Sequence, residues 1–163
     1  MRKVVCTVCL ALALAAYFAP VGIAQTTDAS YFGTWKLNLA KSKYEPGPGP
    51  KASTRVHEDR GGGLILITTD GVNAQGANTY SQYAYKLDGK PYPNLVKGSQ
   101  TVATIALKGT DAYTVTFTTY TDAKPTGTGT RTIAKDGKTM TISTKGTNAQ
   151  GQPTTSMAFW EKQ

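Results

Sequence analysis

The chain has 163 residues and a formal net charge of +8, with 39% hydrophobic, 9% aromatic and 17% charged residues. That is enough for one domain with a sizeable core. The lysines are scattered from Lys36 to Lys162, mostly one per turn or strand end, which excludes a concentrated nucleic-acid-binding stripe.

The chain opens on MRKVV, a short basic start. The apolar run CTVCLALALAAYFAPVGIA follows and ends in small residues. This is the pattern of a secretory signal peptide over residues 1–24, cleaved after Ala24. Cys6 and Cys9 both lie inside it, so the mature chain from Gln25 to Gln163 would hold its fold without a disulfide. Loss of Arg2 and Lys3 would lower the net charge to about +6. The expectation is a periplasmic or secreted protein, with no membrane span after cleavage and one domain over 25–163.

Beyond that segment no stretch keeps a helical period, whereas several alternate with period two. AYTVTFTTY sets Tyr113, Val115 and Phe117 on one face and threonines on the other, as a half-buried antiparallel strand does. KTMTIST alternates Met140 and Ile142 with Thr and Ser, and SQYAYKL groups Tyr83, Tyr85 and Leu87. In chain order the expected strands are 33–39, 51–58, 64–72, 77–88, 100–107, 112–121, 128–135, 139–147 and 152–162. Asp88-Gly89 and Asp136-Gly137 are hairpin signals between them, and Gly61-Gly62-Gly63 reads as a turn. Short connections favour an all-β fold, a single antiparallel up-and-down barrel of eight to ten strands.

Two stretches interrupt this rhythm. In LAKSKYEPGPGPK, Pro46, Pro48 and Pro50 exclude regular pairing, and NLAKSKY before them suits one helical turn. PYPNLVKGSQ, Pro91–Gln100, reads as a long loop carrying an exposed Tyr92.

One motif is duplicated. ITTDGVNAQGANTYSQYAY from Ile67 and ISTKGTNAQGQPTTSMAFW from Ile142 share nine of 19 positions at an offset of 75. Asn at the first and Gly at the fourth position of NAQG suit a turn followed by a bulge better than a ligand contact. The repeat aligns Tyr85 with Trp160, which would turn Trp160 inward. Phe159 competes for that position.

Catalytic sets are missing. The single histidine, His57, has Glu58 on the opposite face and Arg55 on its own, so it reads as a surface strand histidine. It has no ligand-spaced companion, so no metal is expected. The aspartates sit at turns, and no serine occupies a nucleophile elbow. No enzyme activity and no cofactor are expected.

GTWKLN at Gly33–Asn38, with its Gly-x-Trp on the first strand, resembles the signature of lipocalin-like proteins. GTWKLNLAKSKYEPGPGP, DGKTMTISTKGTNAQGQP and the terminal FWEKQ extend this resemblance to small secreted bacterial lipocalin-like (calycin-type) proteins, mostly uncharacterised. The resemblance implies a barrel that holds a small ligand in a cavity, with Trp35 plugging the closed end and a basic side chain packed on it, for which Arg131 is the candidate. The disulfide and the helix usual after a lipocalin barrel are not found in this sequence.

The expected function is therefore non-catalytic binding of a small apolar or amphiphilic molecule by a monomer. Tyr83, Tyr85, Tyr113, Phe117 and Tyr92 are the candidate ligand contacts. The competing reading is a packed barrel without a cavity, acting as a protein-interaction or inhibitor module.

Overall fold

The structure is a computed structural model that describes residues 29–148 and 150–163. The expected signal segment lies outside the described residues. A 3-10 turn at Ala29–Tyr31 leads into β1 (Gly33–Glu45), β2 (Ala52–Asp59), β3 (Ile65–Val72), β4 (Asn78–Tyr85) and β5 (Asp88–Pro93). Then come β6 (Leu95–Val96), β7 (Ala103–Gly109), β8 (Thr114–Thr121), β9 (Lys124–Ile133), β10 (Thr139–Thr147) and β11 (Pro153–Lys162).

These eleven strands form one antiparallel sheet in the order β5-β7-β8-β9-β10-β11-β1-β2-β3-β4-β6. The first and last strands pair, with Leu37 opposite Trp160, and the sheet curls into a nearly closed barrel. The expected all-β antiparallel fold is the one observed, with more strands than expected.

The extra strands come from PYPNLV, which is not a loop. Tyr92 lies in β5 opposite Ile105, half-buried against the core rather than exposed. β5 is an edge strand, so Pro91 and Pro93 leave no ladder donor missing on its free side. The Asp88-Gly89 signal makes a bulge instead of a hairpin. Asp88 Oδ1 accepts the Lys90 N–H at 3.0 Å, and the register against β7 shifts between Asp88 and Pro91. β6 departs from the up-and-down order by returning to the edge of β4.

NLAKSKY is likewise strand rather than helical turn. β1 continues through it over an irregularity between Asn38 and Lys43. There Asn38 Oδ1 accepts the Lys41 N–H at 3.1 Å, and the Ser42 hydroxyl donates to the Asn38 carbonyl at 2.7 Å while accepting the Phe159 N–H at 2.9 Å. Short polar side chains thus replace ladder bonds across the bulge. Tyr113 falls in the turn before β8, where Asp111 accepts its N–H at 2.8 Å. Thr121 is followed by Asp122 and Ala123, both at positive φ, and this tight turn starts β9 earlier than expected, at Lys124.

Both NAQG copies are turns. Gly76 N–H reaches the Asn73 carbonyl at 3.0 Å, and Asn73 Oδ1 accepts the N–H groups of Gln75 and Ala77 at 3.1 and 2.9 Å. In the second copy Asn148 Oδ1 accepts from Gln150 and Gln152 at 3.0 and 2.9 Å. Gly76 has φ +91 and Gly151 φ +76. Gly76→Val is therefore expected to cost about 1 kcal/mol or more. Gln75→Ala and Gln150→Ala should leave the melting temperature unchanged, since neither side chain bonds to the protein. Thermal melts of the three variants check this, and a Gln variant that melted like Gly76→Val would contradict the turn assignment.

Strand register divides the barrel interior into two halves. Near the 3-10 turn, Tyr31, Trp35, Ile65, Ile67, Tyr85, Leu107, Val115, Ile133, Met140 and Trp160 are buried and form the core. Toward the other end the residues two and four positions along the same faces are small and polar. Ile67 is followed by Thr69 and Gly71, and Ile142 by Thr144 and Gly146. These are half-buried, whereas Asp70, Ser143 and Lys145 between them are exposed. Trp160 is buried and Phe159 faces outward under the Lys41 ammonium, 4.9 Å from its ring centre. The choice the sequence leaves open is thereby decided.

Candidate functional site

Where the apolar and polar halves meet, the barrel holds two arginines. Arg131 on β9 is 2% exposed. Its Nη1 donates to the hydroxyls of Tyr31 and Tyr85, the latter at 3.2 Å, and its Nη2 to that of Tyr83 at 2.9 Å. Arg55 on β2 is half-buried and donates from Nη2 to the same Tyr83 oxygen at 2.7 Å. The Tyr31 and Tyr85 hydroxyls lie 2.6 Å apart. Arg55 also lies over the Trp160 ring at 5.5 Å, and Arg131 over the Tyr31 ring at 5.6 Å.

The placement follows from alternation. Val115, Arg131, Ile142 and Ala158 occupy one row across β8–β11, all facing in. Arg55 shares a row with Trp35, Thr69 and Ser81. His57 sits one inward step further, paired with Ile67 and through it with Tyr83.

His57 is therefore not a surface residue. It is 1% exposed, its Nδ1 lies 3.1 Å from the Tyr31 carbonyl, and its ring stacks at a tilt on Tyr31, 4.7 Å between centres. A carbonyl only accepts, so Nδ1 carries the proton and Nε2 is left without a partner. Burial first, and then the guanidinium charges of Arg131 and Arg55, hold its pKa well below the ordinary imidazole value.

The electrostatics of the cluster are one-sided. No Asp or Glu is hydrogen-bonded or ion-paired to either arginine among the described residues. The phenols supply the compensation. For Tyr83, burial opposes ionisation, but the charges and hydrogen bonds of Arg55 and Arg131 outweigh it and lower its pKa. For Tyr85, burial and the neighbouring Tyr31 raise the pKa well above the ordinary phenol value. Arg131 loses hydration on burial, but the three phenols more than offset this and keep it charged. The Nε atoms of both arginines remain unpartnered.

Trp35 lies in the apolar half of the barrel, 0% exposed, with its Nε1–H donated to the Tyr31 carbonyl at 3.2 Å. The basic group packed on it is not Arg131. It is Lys162, whose Nζ lies 5.4 Å from the ring centre and donates to the Ser30 carbonyl at 2.7 Å. Arg131 is instead committed to the hydroxyls of Tyr31, Tyr83 and Tyr85.

Of the candidate contacts, Tyr83, Tyr85 and Phe117 are buried inside, and Tyr83 alone meets both guanidiniums. The tip of the Phe117 ring lies against Gly129, where any β-carbon would collide with it. Tyr92 bonds to Asp88 at 3.1 Å on the outer edge, and Tyr113 is in a turn, so neither joins the cluster. Tyr31 and Arg55 were not foreseen. Tyr31 precedes the first strand and carries no periodic signal. Arg55 is identifiable only by its phase with His57.

Two concavities stand out. One, about 390 Å³, opens at the polar end between the proline crossing and the first NAQG turn, lined by Tyr44, Pro46, Pro48, Gln75, Thr144 and Ser156. The other, about 560 Å³, includes Lys108, Thr116, Thr118, Thr128, Thr130 and Lys145. All six alternate with inward residues, so this groove is on the outer face of the sheet. Among the described residues no three His, Cys, Asp or Glu side chains gather to hold a metal, and no helix is long and apolar enough to cross a membrane.

No protein-family model matches the chain, and neither does any curated protein. Among solved structures it is similar to a point mutant of the fluorescent protein UnaG, with a TM-score of 0.51 and 14% identity over 82% of this chain and 96% of that one. The likeness is one of fold.

Proposed function

We propose that this chain is a non-catalytic binding barrel that admits a small molecule with an anionic group, which meets Arg55 and the Tyr83 hydroxyl in the interior. One observation carries this reading: two guanidiniums converge on a single phenol oxygen, and among the described residues no carboxylate pairs with either of them. Buried charge is costly unless paired, and an incoming carboxylate, sulfonate or phosphate supplies the missing charge through charge-assisted hydrogen bonds. Arg55 is the reachable partner because it is half-buried, at the boundary with the polar end. The barrel fold shared with UnaG agrees with an interior site, and GTWKLN supports a place among secreted lipocalin-like proteins. Export is part of the proposal. N-terminal sequencing of material recovered from the medium or periplasm should start at Gln25 or within a few residues of it, and an intact Met1 in a membrane fraction would contradict it.

The test uses the anionic fluorophore anilinonaphthalene sulfonate with benzoate as competitor. Arg55→Met should weaken both by about tenfold or more, the value of one charge-assisted hydrogen bond, while far-ultraviolet dichroism stays unchanged. Equal binding by wild type and Arg55→Met would overturn the proposal. A second reading has one observation behind it. Leu95 on the edge strand β6 and Val102 just before β7 are 64% and 69% exposed, which suits a protein-interaction surface. In that case Leu95→Ser would abolish association while leaving fluorophore uptake intact.

A further inference from the structure

The internal repeat, set on the strand register, separates two kinds of position. Within the strands, the residues identical at offset 75 are Ile67 and Ile142, Thr69 and Thr144, Gly71 and Gly146, Thr79 and Thr154, and Ser81 and Ser156. Every one of them faces the barrel interior. The outward positions between them differ, as at Asp70 and Lys145, Tyr80 and Thr155, or Gln82 and Met157. The two hairpins thus present the same hydroxyl pair to the same space from different walls. Thr69 pairs with Ser81 across β3 and β4, and Thr144 with Ser156 across β10 and β11.

None of these four hydroxyls has a hydrogen-bond partner in the protein among the described residues, and all four are half-buried. A barrel that stored an apolar chain would strip water from them with nothing in return. Their interior places are open to Val or Ala of nearly the same size, yet both copies of the repeat carry Thr and Ser. The register sets Thr69 directly across from Arg55, with Ser81 next in the same inward row. Thr144 and Ser156 line the pocket of about 390 Å³ at the polar end, whose wall also carries Tyr44, the prolines and Glu45, a volume and a mix of surfaces that suit a sugar-sized ring.

On the basis of the anion-binding reading above, we propose that the ligand is a polyhydroxylated carboxylate, a sugar acid, and not a long-chain apolar anion. The carboxylate meets Arg55 and Tyr83, and the ring hydroxyls take over the water-facing hydroxyls of the duplicated Thr/Ser pairs. The same chemistry is offered by a free hexuronate and by the end of an acidic polysaccharide.

Calorimetry with D-galacturonate, trigalacturonate, D-galactose and laurate tests this on wild type, Arg55→Met and the double variant Thr69→Val/Ser81→Ala. The double variant removes no bond within the protein and should melt like wild type. Galacturonate should bind wild type, weaken about tenfold or more in both variants, and exceed galactose by a similar factor. A tighter trigalacturonate would assign the source to a polysaccharide end, and a tighter galacturonate to the free sugar acid. Laurate that binds wild type better than galacturonate, loses affinity in Arg55→Met and keeps it in the double variant would overturn the sugar-acid inference and leave anion binding standing. Galactose equal to galacturonate, with Arg55→Met silent, would instead overturn the anion reading on which it rests. Failure of both uronates to bind at about 10 mM, a millimolar-or-weaker affinity, would also overturn the inference.

Discussion

Replacing Trp35 with alanine is expected to unfold this protein or to lower its denaturation midpoint sharply. Trp35 has no exposed surface, its indole N–H is donated to the Tyr31 carbonyl, and the Lys162 ammonium covers its ring. That carbonyl also holds His57, so truncation opens a cavity and loosens the 3-10 turn that carries Tyr31. Loss of a buried Trp to Ala costs about 3–5 kcal/mol, against the roughly 5–15 kcal/mol that stabilises a domain of this size. Trp35→Phe keeps most of the apolar volume and loses one hydrogen bond, so its cost should be much smaller. Urea melts of both variants decide the matter. If Trp35→Ala melts like wild type and loses only the anionic fluorophore, Trp35 is a ligand contact and the closed end of the barrel is misassigned.

The second large effect is expected on acidification. His57 is the only histidine of the chain, and in the folded state burial and the charges of Arg131 and Arg55 hold its pKa well below the ordinary imidazole value. Below about pH 6.5 the unfolded chain takes up a proton that the folded chain refuses. Stability is therefore fully present above that pH and is lost as the pH falls, by up to about 1.4 kcal/mol per unit until folded His57 itself titrates. Protonation inside the fold would place a third cation beside two guanidiniums that already lack a carboxylate. Denaturant melts between pH 7 and the onset of carboxylate titration should show this slope, and His57→Leu should remove it. A wild-type stability flat across that window would show that His57 is hydrated and titrates normally.

Much of the fold is legible in local chemistry. Alternation in TVTFTT and TMTIST marks β8 and β10 because one face must be apolar and the other wet. Asn and Gly in NAQG mark both turns because an Asx side chain and a positive φ are what a tight reversal needs. Where the reading went wrong, a tertiary partner outweighed a local preference. NLAKSKY became strand because Phe159 N–H takes the Ser42 hydroxyl, and PYP became an edge strand because β7 needed a neighbour. Period also indicates the shared inward phase of Tyr83 and Tyr85, whereas the choice between Phe159 and Trp160 is decided only by the barrel, where Trp160 is buried and Phe159 lies under Lys41.

What the sequence by itself determined is this periodic skeleton: the all-β antiparallel fold, most of its hairpins and the duplicated turn. The site was decided by the tertiary structure alone. Arg55, Tyr83 and Arg131 lie on β2, β4 and β9, the first two 28 positions apart in sequence and the last two 48 positions apart. No local spacing brings such residues together. Only closure of the sheet does so, through the β1–β11 pairing that sets β9 opposite β2 and β4 across the interior. The same closure buried His57, which by its neighbours reads as exposed, and set Lys162 rather than Arg131 on the Trp35 ring. A strand's period determines which side chains share a face, but the curvature of the whole sheet determines which faces meet.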